Sequence, residues 1–265
     1  MKQRVDQALF ARGQADSREK ARALILAGRV YLGEVRVDKP SQQVAQEQEI
    51  TIRGDVDAYA SRGGYKLEKA MAVFQVDADG LVCMDVGAAA GGFTDVLLRA
   101  GARHVYAIDV GYGQLDWRIR QDPRVTVMER TNARLLRAEQ FPQKPRLAVM
   151  DVSFISIKLI IPVLFALMGQ EGRLISLVKP QFEAGRGQVG KHGVVRDRDT
   201  HLRVMMELRD AVVSQGLTLG ACAYSPITGP KGNIEFLADI GYDMGKSVGD
   251  EALQALVDQA HAELG

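Results

Sequence analysis

A chain of 265 residues, 46% hydrophobic and 25% charged, has room for one large domain or for a medium domain beside a small one. Its net charge of +1 supplies no overall field for nucleic acid, so any basic binding surface must be local. Two isolated cysteines, Cys83 and Cys222, exclude a disulfide framework and suit a reducing compartment, and the scattered histidines lack metal-ligand spacing. No metal site is expected. Charged residues follow Met1 at once, and the apolar run 159–168 is too short to span a bilayer and contains Pro162. A cytoplasmic chain without a membrane segment is expected, and no obligate protein partner is evident.

Residues 1–58 read as a small α+β module. Val5, Ala8, Leu9 and Phe10 give one helix face, stopped by Gly13. Ser17 can cap a second helix carrying Ala21, Leu24, Ile25 and Ala27, closed by Gly28. Short strands follow at 30–32, 35–37 and 49–52 around turns at Gly33 and 39–41. Arg4, Arg12, Arg18, Lys20, Arg22 and Arg29 crowd the first 30 residues. Such a face suits phosphates, and it equally suits plain solvation. The order Arg4-Val5-Asp6, Leu9, Gly13, Ser17-Arg18-Glu19-Lys20-Ala21, Leu24-Ile25, Gly28-Arg29-Val30 resembles the S4 RNA-binding domain. The resemblance implies contact with structured RNA through shape and phosphates, by these cations together with Arg62 in the following joint.

The joint, residues 55–62, is short and polar and leads through Gly63-Gly64 into a helix expected over 66–74. Lys66 would open that helix, where the dipole disfavours a cation. It therefore faces solvent or meets a specific acid.

From Leu81 onward strands alternate with helices. Strands are expected at 81–85, 104–109, 125–129, 147–151, 173–179, 217–224 and 233–240, with helices starting near Gly92, Leu115, Ala133, Ser156 and Arg198. Strands joined by helices form a parallel sheet, and the closing pair suggests an antiparallel hairpin at one edge. A terminal amphipathic helix carries Leu253, Leu256 and Val257. This seven-stranded α/β arrangement over residues 59–265 resembles the Rossmann-like fold of S-adenosylmethionine-dependent methyltransferases.

The first strand runs into Asp85-Val86-Gly87-Ala88-Ala89-Ala90-Gly91-Gly92-Phe93. Small residues let a ligand approach the backbone, although a tight turn without a ligand has the same composition. Asp109 ends the second strand, where an acid can accept hydrogen bonds from both ribose hydroxyls of an adenosine cofactor; Asn132, after the third, could read the adenine edge. A nicotinamide dinucleotide fits less well, since the spaced G-x-G-x-x-G is missing. Asp151 and Lys179 end the fourth and fifth strands and Glu235 falls early in the last. Singly, these three could be a helix cap, a surface lysine and an edge charge. Tyr65, Trp117 and Phe154 are candidates to stack on a base or to pack, and the glycine-rich loop 185–195 is a candidate rim loop.

The motifs Ser61-Arg62-Gly63-Gly64-Tyr65-Lys66-Leu67, Asp85-Val86-Gly87 with Gly91-Gly92-Phe93-Thr94, Asp109-Val110-Gly111-Tyr112-Gly113-Gln114-Leu115, Glu129-Arg130-Thr131-Asn132-Ala133-Arg134, Asp151-Val152-Ser153-Phe154-Ile155-Ser156 and Val178-Lys179-Pro180-Gln181-Phe182-Glu183 resemble the TlyA family. Its members join an S4 domain to an FtsJ/RrmJ-like domain and methylate ribose 2′-hydroxyls of ribosomal RNA; some carry the name haemolysin. The resemblance implies S-adenosylmethionine as cofactor and ribosomal subunits as partners. It further implies a catalytic tetrad at Lys66, Asp151, Lys179 and Glu235, and cofactor contacts from Asp85, Gly87, Ala88, Gly91, Gly92, Phe93, Asp109 and Asn132. A 2′-hydroxyl must shed its proton, and a lysine can take it when desolvated or beside another cation. Lys179 is the expected base, Lys66 the neighbouring cation, and the two acids hold the two ammonium groups. Ala88-Ala89-Ala90 departs from the Ala-Ser-Thr frequent in relatives, and Asp57-Ala58-Tyr59-Ala60 from an Arg-Ala-Trp-Val joint. Methylation of a base, a cytolysin, and a non-catalytic S4 RNA-binding protein with a methyltransferase-like fold are the alternatives.

Overall fold

The computed structural model describes residues 2–15, 18–26, 30–33, 35–37, 39–45, 48–52, 59–185, 187–190 and 192–265, but not the side chains of Lys2, Glu19, Lys20, Ala23 and Leu26. The chain divides into two compact units, Met1–Ala58 and Tyr59–Gly265. The cap expected at Ser17 and the helix stop at Gly28 lie outside the described residues, as do Arg29, Arg186 and Lys191.

In the first unit α1 (Val5–Ala11) packs on α2 (Arg18–Leu26). Strand β2 (Val30–Leu32) pairs antiparallel with both β3 (Val35–Arg36) and β5 (Thr51–Ile52). A second pair, β1 (Lys2–Arg4) with β4 (Gln43–Ala45), was not expected from the sequence; three residues are too few to show a period of two. Val5, Ala8, Leu9, Ala21, Ile25, Val30, Val37 and Val44 form the core, whereas Phe10, expected on the buried face, is 49% exposed. One position past Leu9 is 100° around the helix, enough to leave the apolar stripe.

The second unit opens with α3 (Gly64–Phe74), two residues earlier than the periodicity suggests. Its sheet contains β6 (Val82–Val86), β7 (His104–Ile108), β8 (Val125–Met128), β9 (Leu147–Met150), β10 (Arg173–Val178), β11 (Thr218–Tyr224) and β12 (Phe236–Gly241). The order is β11-β12-β10-β9-β6-β7-β8, all parallel except β12, which lies antiparallel between β10 and β11.

Both faces of the sheet are covered, so its central strands read as unbroken apolar runs. Cys83, Val105, Val149 and Leu177 face α3, α4 (Gly92–Arg99) and α5 (Trp117–Arg120). Met84, Ile108, Met150 and Val178 face the core shared with α6 (Ile161–Met168), α8 (Arg198–Ser214) and α9 (Asp250–Leu264). The helix expected near Ala133 is reduced to two 3-10 turns, Ala133–Leu135 and Ala138–Gln140, the one expected near Ser156 opens as the 3-10 turn Ile157–Leu159 and continues as α6, and α7 (Pro180–Glu183) adds one turn after β10.

From β6 the chain steps outward to β7 and β8, then returns to β9 on the other side of β6. That reversal leaves a crevice beyond the carboxyl ends of β6 and β9, where open α/β sheets bind ligands. Among the described residues no helix is long and apolar enough to cross a membrane.

Candidate active site at the strand ends

A cleft of about 340 Å³ opens at this reversal, within the range of small-molecule sites. Gly87, Asp109, Asn132, Asp151, Val152, Ser153 and Phe154 are among its walls. Gly87 holds φ +87°, and a Cβ there would overlap the Asp151 carbonyl oxygen and stand 2.9 Å from its carbon. The close approach that excludes a side chain is thus to the Asp151 backbone, one residue past β9. Gly91 and Gly92 lie off the cleft: a Cβ on Gly91 would meet Ile119 at 2.7 Å and Leu115 at 2.8 Å, and one on Gly92 would overlap Ser61. Phe93 is buried in the core, and Ala88 is buried beside Asp109 in an adjoining crevice.

Asp109 Oδ2 accepts Ala89 N at 2.8 Å and Oδ1 accepts Gly111 N at 2.6 Å. A carboxylate has about four acceptor sites, so two remain for a ligand. Ala89 makes its bond at φ +45°, where a side chain is strained. Asn132 is exposed and caps the next turn by accepting Arg134 N at 3.0 Å.

Asp85 sits beneath the turn, fully buried. Its Oδ2 accepts Thr94 Oγ1 at 2.6 Å, while Oδ1 has no partner among the described residues. Burial pushes this carboxyl up to about 7, against the Thr94 hydrogen bond and with the added repulsion of Asp151 and Asp109.

The two lysines and two acids expected at this rim form two ion pairs. Lys66 Nζ lies 2.5 Å from Glu235 Oε2, and both side chains are nearly inaccessible. Lys66 is the third residue of α3 rather than its first, which turns it inward, and Glu235 precedes β12 rather than lying within it. Lys179 Nζ lies 2.5 Å from Asp151 Oδ1 and donates to Ser153 Oγ at 3.1 Å. Register brings the pairs to one rim: Val178 faces Phe236 across β10 and β12, so Lys179 and Glu235 are the next step. Ser153 and Thr94 were not anticipated from the sequence. Their signal was only a hydroxyl two residues after one acid and nine after another.

Of the stacking candidates, Phe154 is 91% exposed at φ +65°, its ring 5.0 Å from that of Phe182. Tyr65 packs edge-on against Tyr59, and Trp117 lies exposed on α5. Among the described residues no group of His, Cys, Asp and Glu could hold a metal ion.

In the first unit, buried Asp6 accepts Arg4 Nε and Nη2 at 2.9 Å each, and Arg22 and Arg18 stand 3.6 and 3.9 Å away. The Arg4 guanidinium holds the Asp6 carboxyl below its ordinary range. Arg12 is turned to carbonyls, donating to Gln48 O at 2.8 Å and Ala45 O at 3.2 Å. Arg62 is exposed.

The model of FtsJ-like methyltransferases matches residues 59–242, and that of the S4 domain residues 3–50. YqxC of Bacillus subtilis is 44% identical, across 99% of this chain and 95% of its own. The 16S/23S rRNA (cytidine-2′-O)-methyltransferase TlyA of Mycobacterium tuberculosis is 40% identical, across 98% and 97%. A solved Streptococcus thermophilus chain bearing a hemolysin name superposes with a TM-score of 0.79 at 41% identity, across 99% and 96%.

Proposed function

The chain belongs to the TlyA family of FtsJ-like methyltransferases, with an S4 domain at its N-terminal side, and from that premise we propose that it methylates ribose 2′-hydroxyls of ribosomal RNA, with cytidine as the target nucleoside. S-adenosylmethionine is the methyl donor in this reading, supplying an electrophilic carbon on a sulfonium. The residues fit it. Asp109 keeps two acceptor sites for a diol, and buried Asp85 Oδ1, which has no partner among the described residues, could accept from a cofactor ammonium or a water beneath it. Gly87, Ala89 and Asn132 all line the cleft.

The observation that carries the reading is that both partners of the Lys179 amine, Asp151 and Ser153, are walls of the cleft. In its neutral form the Lys179 amine takes the proton of the 2′-hydroxyl as the oxygen bonds to the methyl carbon and the carbon–sulfur bond breaks with its electrons left on sulfur, a role worth about 10²–10⁴-fold in rate. Asp151 and Ser153 orient its amine. Lys66, held by Glu235 at the next register step, places a second ion pair by that centre. The remaining gain comes from alignment of oxygen, carbon and sulfur in one line.

The S4 unit supplies affinity through phosphate contacts from Arg4, Arg18 and Arg22, with Arg12, Lys20, Arg29 and Arg62 as further candidates. Incubating the protein with labelled donor and ribosomal subunits lacking the modification tests the reading. Label on a 2′-oxygen of cytidine supports it; label on a base nitrogen or carbon removes it.

A further inference from the structure

Glu183 takes no part in the chemistry described above, yet its carboxylate is buried four residues beyond Lys179, at the end of α7. Its Oε2 accepts Ser156 Oγ at 2.7 Å and its Oε1 accepts Ile157 N at 2.8 Å. Lys158 Nζ stands 4.0 Å away and 3.5 Å from Glu207 on α8. Ser156 and Ile157 belong to the segment that also provides Asp151 and Ser153. Two segments are therefore tied twice: Lys179 grips 151–153 and Glu183 grips 156–157. Phe154, between the two grips, holds φ +65°. Such a conformation persists where both flanks are fixed.

We propose that Glu183 is a positioning residue for methyl transfer, setting the distance at which Asp151 and Ser153 hold Lys179 by anchoring the 151–157 segment to the α7 turn. The proposal rests on Lys179 as base. An ion pair between two loops is only as fixed as the loops themselves, and Glu183 is the buried, charge-assisted link between them.

The test is steady-state methyl transfer by the full chain on unmodified ribosomal subunits, with S-adenosylmethionine affinity measured separately by calorimetry. Glu183→Ala lowers kcat by roughly 30- to 100-fold, as expected for misplacement near 1 Å, and changes donor affinity by less than about twofold. Glu183→Gln restores most of the rate, since its amide oxygen accepts from Ile157 and its amide nitrogen donates to Ser156. In a Lys179→Ala background Glu183→Ala causes no further loss, because it acts through that amine. Equal losses in both backgrounds, a Gln variant as slow as Ala, or a parallel loss of donor binding would each overturn the proposal. Should Glu183→Ala not fold, Ser156→Ala removes one of the two bonds: a kcat loss of about threefold or more supports the link, and none overturns it. A Lys179→Ala enzyme at full rate instead removes the base, and that result is read without the Glu183 variants.

Discussion

Lys66 Nζ and Glu235 Oε2 meet at 2.5 Å across 169 residues of chain, with side-chain exposures of 9% and 1%. A pair so enclosed is costly to halve, because the remaining charge cannot reach water. Glu235→Ala should destabilise the second unit by about 3 kcal/mol, and Lys66→Met added to it should recover part of that loss. Urea unfolding of the single and double variants measures both. A single-variant cost below about 1 kcal/mol would mean that the charge is solvated after all.

Two glycines with positive φ separate packing from backbone strain. Gly80, at φ +67°, has nothing within 4 Å of the place a Cβ would occupy, whereas Gly87, at φ +87°, faces Asp151 backbone. Gly80→Ala should cost about 1–2 kcal/mol, the left-handed conformation alone. Gly87→Ala should cost clearly more and weaken donor binding, because Asp151 and its loop must move. Equal melting shifts would contradict this.

Asp85 carries a pH signature. Its folded carboxyl is pushed up to about 7 from an ordinary 3.8, chiefly by burial, so between those values the folded state holds a proton that the unfolded chain has released. Stability conferred by that site is therefore lost as pH rises through this window. Asp85→Asn removes the loss: its stability relative to wild type should rise from pH 4 to pH 7, by at most about 4 kcal/mol, and level off above. Parallel stability curves for the two proteins would contradict it.

Arg18 and Arg22 gather with Arg4 around Asp6. If they meet phosphates, replacing both with alanine should weaken binding to ribosomal RNA and flatten its dependence on log salt by about 0.7–0.9 for each phosphate left unneutralised. An unchanged slope would assign these side chains to solvent. Asp6 keeps the cluster organised without cancelling it, one acid against three cations.

Most of this architecture was legible in the chain. Apolar runs such as 81–84 and 147–150, each followed at once by an acid, announce a sheet covered on both faces with polar groups at one rim. Three features were hidden because burial and packing, rather than local pattern, decide them. Lys66 read as a poor helix opener, since α3 begins earlier and Glu235 lies at the far end of the fold. Gly91 and Gly92 read as room for a ligand, yet their open space belongs to Leu115, Ile119 and Ser61. Asp6 drew no reading of its own, because nothing local marks it as buried.

Donor binding and methyl transfer measured side by side for Lys179→Ala, on unmodified ribosomal subunits, decide whether this amine is the base. Transfer to the ribose oxygen should slow by about 10²-fold or more, with donor affinity nearly unchanged. Transfer at the wild-type rate, with the label still on a 2′-oxygen, would show that another group takes the proton.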